Sequence, residues 1–324
     1  MKNKVKFLFK SIFLFLLATT LPRFADAQES TIKILPQPGY YNMQIGDLPL
    51  VVLSDGTNPL AFDKLLLNAQ PGELKSLFEQ NFLSTSVEGS DNAYLIRTDG
   101  KLVLIDAGSG DLLGPTFGQL TKSIINAGFK PEQIDAVLIT HLHPDHVGGL
   151  MRNGQMVFPN ATVYIAKAES DFWLSEENLK NAPVGSKPFF EYAQNSALPY
   201  LKAGKVKTFN SGDKLFSGIT ALGSAGHTAG HTSYIIESNG QKLVILGDLI
   251  HAAAAQFTDP GIAIAFDSDP NAAIKTRRRV FDDAVKGKYL VAGSHLSFPG
   301  VGHIRANGKG YLWVPANYST IVSK

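Results

Sequence analysis

Residues 141–146 read His-Leu-His-Pro-Asp-His, three imidazoles and a carboxylate in six positions. Such side chains cannot all disappear into an apolar core, because each buried polar group needs a partner. His141 and His143 stand two apart on extended chain, so they share one side and can bind one cation. Asp145 and His146 lie past the turn at Pro144, point elsewhere and suit a second cation. Gly148-Gly149 behind the motif lets the following chain pass close to the loop. Any fold for this chain must present the segment at an edge where other polar groups can reach it.

The flanking pattern supplies such an edge. Short β-branched or Leu-rich runs at Leu102–Ile105, Ala136–Thr140, Thr162–Ile165, Ile219–Leu222, Leu243–Leu246 and Tyr289–Val291 read as strands. Amphipathic stretches at Gly118–Ala127 and Asn271–Val285 read as helices between them, which gives a layered α/β chain. Five strand ends each deliver an acid or an imidazole: Asp106, His141, His227, Asp248 and His295. Ligand sites collect where strand ends meet loops, so the pattern reads as one site assembled from distant segments. In Gly226-His227-Thr228-Ala229-Gly230-His231 two imidazoles would crowd one metal. His227 directly follows its strand and is read as the ligand, and His231 as the group that orients a ligand. Upstream, Tyr40–Leu53 reads as a hairpin turning at Gly46-Asp47, and Glu73–Gln80 as a helix. The triplet Arg277-Arg278-Arg279 reads as a largely outward, solvated helix face.

Composition narrows the chemistry. The chain has no cysteine, which excludes disulfides, thiolate-ligated zinc and thiol nucleophiles. Its net charge of +2 comes from the N-terminus, where residues 1–27 hold five basic side chains against one acidic, leaving −2 for the remainder. No phosphate-binding surface follows from that balance, and nucleic acid is not an expected partner. Lys2 to Lys10 form a basic region, Ile12 to Ala18 an apolar run, and Ala25-Asp26-Ala27 a small-residue cleavage site. This is the pattern of a signal peptide over residues 1–27, with residues 28–324 exported to the periplasm or secreted. The alternative, an uncleaved anchor, needs roughly 20 apolar residues, and Lys10 interrupts the run.

Together, His141-x-His143-x-Asp145-His146, His227, Asp248 and His295 resemble the ligand set of the dinuclear metallo-β-lactamase-fold hydrolases. Leu104-Ile105-Asp106-Ala107-Gly108 is similar to that fold's first motif. A closer resemblance, to the exported methyl parathion hydrolase and lactonase branch, runs through Pro38-Gly39-Tyr40-Tyr41, Ala168–Leu174, His295–Gly300 and Asn317-Tyr318-Ser319. It implies a single-domain αββα sandwich with an N-terminal extension, a homodimer, and two metals at one edge. It also implies His141, His143 and His227 on one metal, Asp145, His146 and His295 on the other, and Asp248 bridging. Asp106 and His231 would support these ligands from behind. Two divalent cations roughly 3.5–4 Å apart would share a hydroxide as nucleophile and polarise a carbonyl or phosphoryl oxygen. Asp145 would hydrogen-bond that hydroxide or shuttle its proton. Nitrogen and oxygen donors suit Zn²⁺ and also accept Mn, Fe or Co.

Several functions share this ligand set. A class B β-lactamase would usually place a cysteine on the second metal, which this chain lacks. A nuclease would need a basic groove, and export separates the chain from the glutathione that a hydroxyacyl-glutathione thioesterase requires. A periplasmic metal-binding protein without chemistry is the non-enzymatic alternative, although none of the seven ligand positions is missing. Within the branch the choice lies between lactones or aryl esters and organophosphates. Trp173, Phe189, Phe190 and Phe266 are candidates for an aromatic wall, and His251 stands three residues past Asp248. The resemblance implies smaller or aliphatic residues at the positions of His251, Ile264 and Phe266 in the phosphotriesterase-type member. The bulkier residues here imply a lactonase or arylesterase with incidental phosphotriesterase activity.

Overall fold

The computed structural model describes residues 36–320. The signal peptide expected over residues 1–27 therefore lies outside the described residues, and those from Pro38 on form one unit.

Hydrophobic alternation builds two seven-stranded sheets. The first comprises β1 (Tyr40–Ile45), β2 (Leu48–Ala61), β3 (Ser86–Thr98), β4 (Lys101–Ile105), β5 (Ala136–Leu138), β6 (Thr162–Ala166) and β7 (Val206–Phe209). They lie side by side in chain order, antiparallel as far as β4 and parallel from β4 to β7. The second comprises β8 (Lys214–Phe216), β9 (Ile219–Gly223), β10 (Thr232–Ser238), β11 (Gln241–Ile245), β12 (Leu290–Ala292), β13 (Val301–Asn307) and β14 (Gly310–Pro315). These too follow chain order, and only β11 and β12 pair in parallel. A right-handed return between parallel strands needs a crossover, and helices supply it. Of the principal helices, α1 (Glu73–Gln80) joins the antiparallel β2 and β3, and α2 (Leu120–Asn126), α3 (Lys167–Trp173), α4 (Lys187–Lys202) and α5 (Pro270–Gly287) lie on such crossovers.

Three packed layers of core make this an αββα sandwich. Val52, Tyr94 and Ile105 of the first sheet meet Tyr234, Leu243 and Ile245 of the second in the central layer. Leu120, Ile124, Phe190 and Tyr200 cover the outer face of the first sheet. Val280, Phe281 and Ala284 of α5 cover that of the second. Helix α5 begins where Asp269 accepts from the Ala272 amide at 3.0 Å with Pro270 at the first helical position. Its Arg277 is not outward. The side chain is fully buried, and its guanidinium donates to the carbonyls of Leu249, Pro260 and Ile262. Ala273, Val280, Phe281 and Ala284 are buried on the same helix face, because residues three, four and seven apart share a side.

The hairpin turns at Gly46-Asp47 as expected, but β2 continues beyond Leu53 to Ala61 and pairs with β3 on either side of a bulge at Asp55. That extension stands beside the edge where the acids and imidazoles collect.

A candidate dinuclear metal centre

The strand ends place the centre. Asp106 follows β4 with φ +61°, a left-handed conformation that aspartate tolerates, and this turns its carboxylate toward the His141–His146 segment. Its oxygens accept from the Thr140 amide at 2.8 Å and the Thr140 hydroxyl at 2.9 Å, and lie 2.9 Å from His146 Nδ1. His141 follows β5 closely, and His143 is extended. Pro144 then starts a short helix, Pro144–Val147, which swings Asp145 and His146 to a different side. A side chain at Gly149 would lie 2.0 Å from the Ala107 carbonyl oxygen, so glycine is needed for this segment to pack against the Asp106 turn.

Seven of the eight histidines converge here, with only His303 elsewhere. Two groups of potential ligand atoms share Asp248: His141, His143 and His227 on one side, and Asp145, His146 and His295 on the other. Within each group the atoms lie within 4.8 Å of one another. Asp248 Oδ2 is 3.3 Å from His227 Nε2, 3.6 Å from His141 Nε2 and 3.1 Å from His295 Nε2. Asp248 Oδ1 is 3.2 Å from His146 Nε2.

The donor set fits divalent cations. His141 Nε2, His146 Nε2 and Asp248 Oδ1 are buried without hydrogen-bond partners, an arrangement that is costly unless something else satisfies them. His227 Nε2 faces His143 Nδ1 across 3.0 Å, as two lone pairs directed at one ion would. Burial first, and then neighbouring imidazoles, holds His141 and His143 well below the usual imidazole range, so their lone pairs are available. Burial opposes protonation of His227 and His295 too, but Asp248 outweighs it at both, aided by Asp267 at His227 and Asp145 at His295. Both imidazoles are thereby pushed up to about 9, which shows how strongly the carboxylates call for positive charge.

The supporting contacts account for the remaining polar groups. His227 Nδ1 lies 2.9 Å from Asp267, a partner 40 residues away that no local motif announces. Thr140, also unannounced, places its hydroxyl 3.1 Å from His141 Nδ1. His231 spends both nitrogens on protein partners and faces neither group of ligands with a free atom.

Above the centre lies a cavity of about 270 Å³. His143, Asp145, Asp248, His251 and His295 form its polar floor, and Leu60, Leu113, Phe117, Phe189, Tyr192 and Phe266 its walls. Phe189, His251 and Phe266 thus line it, whereas Trp173, Phe190 and Ile264 do not. Trp173 and Phe190 pack into the core at a ring distance of 4.6 Å, and Trp173 buttresses His143 from behind. Ile264 is fully buried with Phe62, Leu66 and Phe78. Leu60 comes from the unforeseen extension of β2, and Leu113, Phe117 and Tyr192 carry no motif that sets them apart.

Comparison with known proteins agrees with this geometry. Among solved structures, a hydrolase of the β-lactamase superfamily, AbOPH, is 33% identical with a TM-score of 0.83, over 88% of this chain and 100% of that one. AidC, a dizinc quorum-quenching lactonase, is 30% identical with a TM-score of 0.81, over 87% of this chain and 99% of that one. An N-acyl homoserine lactonase of Bacillus cereus is 27% identical over 221 residues, 62% of this chain and 79% of the lactonase. A ribonuclease of Thermus thermophilus, TTHA0252, is 30% identical over 184 residues, 54% of this chain but only 38% of the ribonuclease's length. The sequence profile of the Metallo-beta-lactamase superfamily matches residues 87–295, the span from β3 to the last histidine of the centre. With this match covering most of the chain, the protein belongs to the metallo-β-lactamase superfamily of metal-dependent hydrolases.

Proposed function

We propose that the protein is an exported dinuclear hydrolase, with zinc as its metal, that opens lactones or cleaves aryl esters. The observation that carries this reading is the cavity itself: apolar and aromatic walls stand over an imidazole and carboxylate floor, and no lysine or arginine is among the described residues lining it. A β-lactam carboxylate or a nucleic-acid phosphate would find no cationic side chain on the walls, only the metals of the floor. An uncharged ester with an apolar acyl or aryl group would bury that group against Phe189, Phe266 and Leu113. The 30% identity to a dizinc lactonase over 87% of the chain points the same way.

When bound, two divalent cations would supply a water of lowered pKa and a Lewis acid for the acyl oxygen. His141, His143 and His227 would hold one cation, Asp145, His146 and His295 the other, with Asp248 between them. The apolar walls exclude bulk water and so strengthen the electrostatics of the floor. Asp145 Oδ2 lies 3.6 Å from His146 Nε2 and 3.5 Å from His295 Nε2, with its side chain 21% exposed at the cavity. Burial would raise its pKa, but His146 overrides that and keeps the carboxylate ionised, so that with Oδ2 among the ligand atoms its other oxygen is left to accept a proton from the attacking water. His251 stacks on His295 at 4.8 Å with Nε2 on Asp248 Oδ2, and burial holds it near pKa 4, so it stays neutral.

Phosphotriesters are uncharged too, and the same floor could hydrolyse them. Phe266 and His251 separate the two substrates by the room they take. Turnover of N-acyl homoserine lactones and aryl acetates, measured with and without chelator, tests the proposal. Chelator-sensitive lactone or arylesterase activity is expected, and faster turnover of a β-lactam or phosphodiester would overturn it. Export is tested by intact mass of the periplasmic form, expected to begin at Gln28.

A further inference from the structure

Helix α3 carries one buried carboxylate that the chemistry above leaves unused. Glu169 is 1% exposed and does not line the cavity. The Thr228 hydroxyl donates to its Oε1, and Thr228 directly follows His227. Burial raises its pKa, whereas Thr228, His227, the Trp173 indole and the Leu142 amide favour its ionised form. Leu142 stands between His141 and His143. Oε2 of Glu169 and Nε1 of Trp173, one helical turn apart, are both buried without a close partner, an acceptor beside a donor. The Trp173 ring meets His143 edge-on at 5.5 Å. The turn bearing His227 is pressed onto the start of this helix, since a side chain at Gly230 would lie 2.4 Å from the Glu169 amide nitrogen.

A buried carboxylate is expensive to keep, and an apolar residue would fill the same volume at less cost. What a carboxylate adds is two acceptors that can face donors on three separate segments. We propose that Glu169 is a positioning residue for the metal centre. It clamps the turn that carries His141 and His143 to the turn that carries His227, and steadies Trp173 behind His143. The inference rests on the ligand assignment proposed above.

The test uses the full chain in a Trp313→Phe background, so that Trp173 is the only indole, and titrates it with Co²⁺ alone. Glu169→Gln keeps the shape but turns an amide N–H toward a donor. It is expected to weaken one of the two Co²⁺ equivalents by about 10–100-fold and to shift Trp173 emission, leaving the other equivalent unchanged. Thr228→Val should weaken the same equivalent, and the pair combined should lose little more than Glu169→Gln alone. A folded Glu169→Gln protein with wild-type Co²⁺ binding and unchanged emission overturns the clamp. Unchanged binding in Thr228→Val overturns it as well, and decides the matter if the Glu169 variant does not fold. Fewer than two equivalents in the parent protein would instead overturn the ligand assignment, and the clamp with it.

Discussion

The backbone N–H of Asp248 donates to Nε2 of His231 at 3.0 Å. Because Nε2 accepts, Nδ1 carries the proton, and it lies 2.8 Å from the Ser224 hydroxyl. Burial, followed by the neighbouring His227, brings its pKa down to about 3, so the ring stays neutral. Both nitrogens are occupied, and His231 acts on the centre by fixing the turn that aims Asp248. His231→Ala is therefore expected to lower metal affinity or kcat/KM by about 10–100-fold, the usual loss when a ligand keeps its atoms but loses its orientation. His227→Ala should be far more damaging. Metal titration and kinetics on the two variants side by side check the order, and equal losses would mean that His231 is itself a ligand.

The polar floor was legible in the sequence because strand ends are strongly marked. A run of Val, Leu and Ile that stops at Asp106, His141 or Asp248 states both where the strand lies and which group it delivers. Asp267 was not legible, since its link to His227 exists only once the chain has returned over 40 residues. The walls were not legible either. Phe189 and Phe190 are neighbours on α4, about 100° apart around the helix, so one faces the cavity and the other the core. Aromatic identity is the same in both, and only packing separates them. Ile264 and Phe266 divide likewise, the first into the layer with Phe62 and the second onto the cavity. Arg277 departs from the solvated face expected of an arginine triplet because register, not charge, sets its side of the helix. Its spacing from Ala273, Val280, Phe281 and Ala284 already placed it on the buried face.

Asp248 is the one residue common to both groups of candidate ligands. Removing its carboxylate withdraws the only negative charge among the described residues that is within reach of His141, His146, His227 and His295 together. Asp248→Ala is expected to retain no more than one metal per chain and to lose nearly all turnover. Metal analysis of the purified variant checks this. Two equivalents in an active Asp248→Ala protein would refute a bridging role.

Arg277 ties Leu249, one residue past Asp248, to Pro260 and Ile262 on the segment that leads to Phe266 and Asp267. Gln256 completes the network, accepting from the His251 and Ala252 amides and donating to the Ile262 carbonyl at 3.1 Å. Arg277→Met would fill much of the volume and leave the Leu249 and Pro260 carbonyls without donors, while the Ile262 carbonyl keeps Gln256, at roughly 1–3 kcal/mol for each orphaned acceptor. Arg277→Lys should recover only part of that, because an ammonium cannot reproduce the planar fork. Urea unfolding of both variants is expected to rank wild type above lysine and lysine above methionine. A methionine variant as stable as wild type would show that the Leu249 and Pro260 carbonyls find other donors.

Phe266 offers the sharpest test of substrate choice. It is 37% exposed, lines the cavity, and its ring centroid lies 6.3 Å from that of His251. Lactones and phosphotriesters would use the same nucleophile, so discrimination must come from how the walls fit each transition state. A lactone carbonyl becomes tetrahedral while its leaving alkoxide remains tethered in the ring. A phosphotriester begins tetrahedral, gains a fifth substituent, and needs room for two alkoxy groups beside its leaving group. The Phe266 ring takes up that room. Phe266→Leu is expected to raise phosphotriester kcat/KM by the equivalent of about 1–3 kcal/mol, the range for a small apolar volume change in a pocket. Lactone turnover should rise little or fall, since the lost ring also removes an apolar contact for the acyl group. Measuring both activities in wild type and variant at saturating metal gives the ratio directly. A ratio that does not move would mean that Phe266 stands clear of the reacting centre and that the selectivity is set by Leu113, Phe117 or Tyr192 instead.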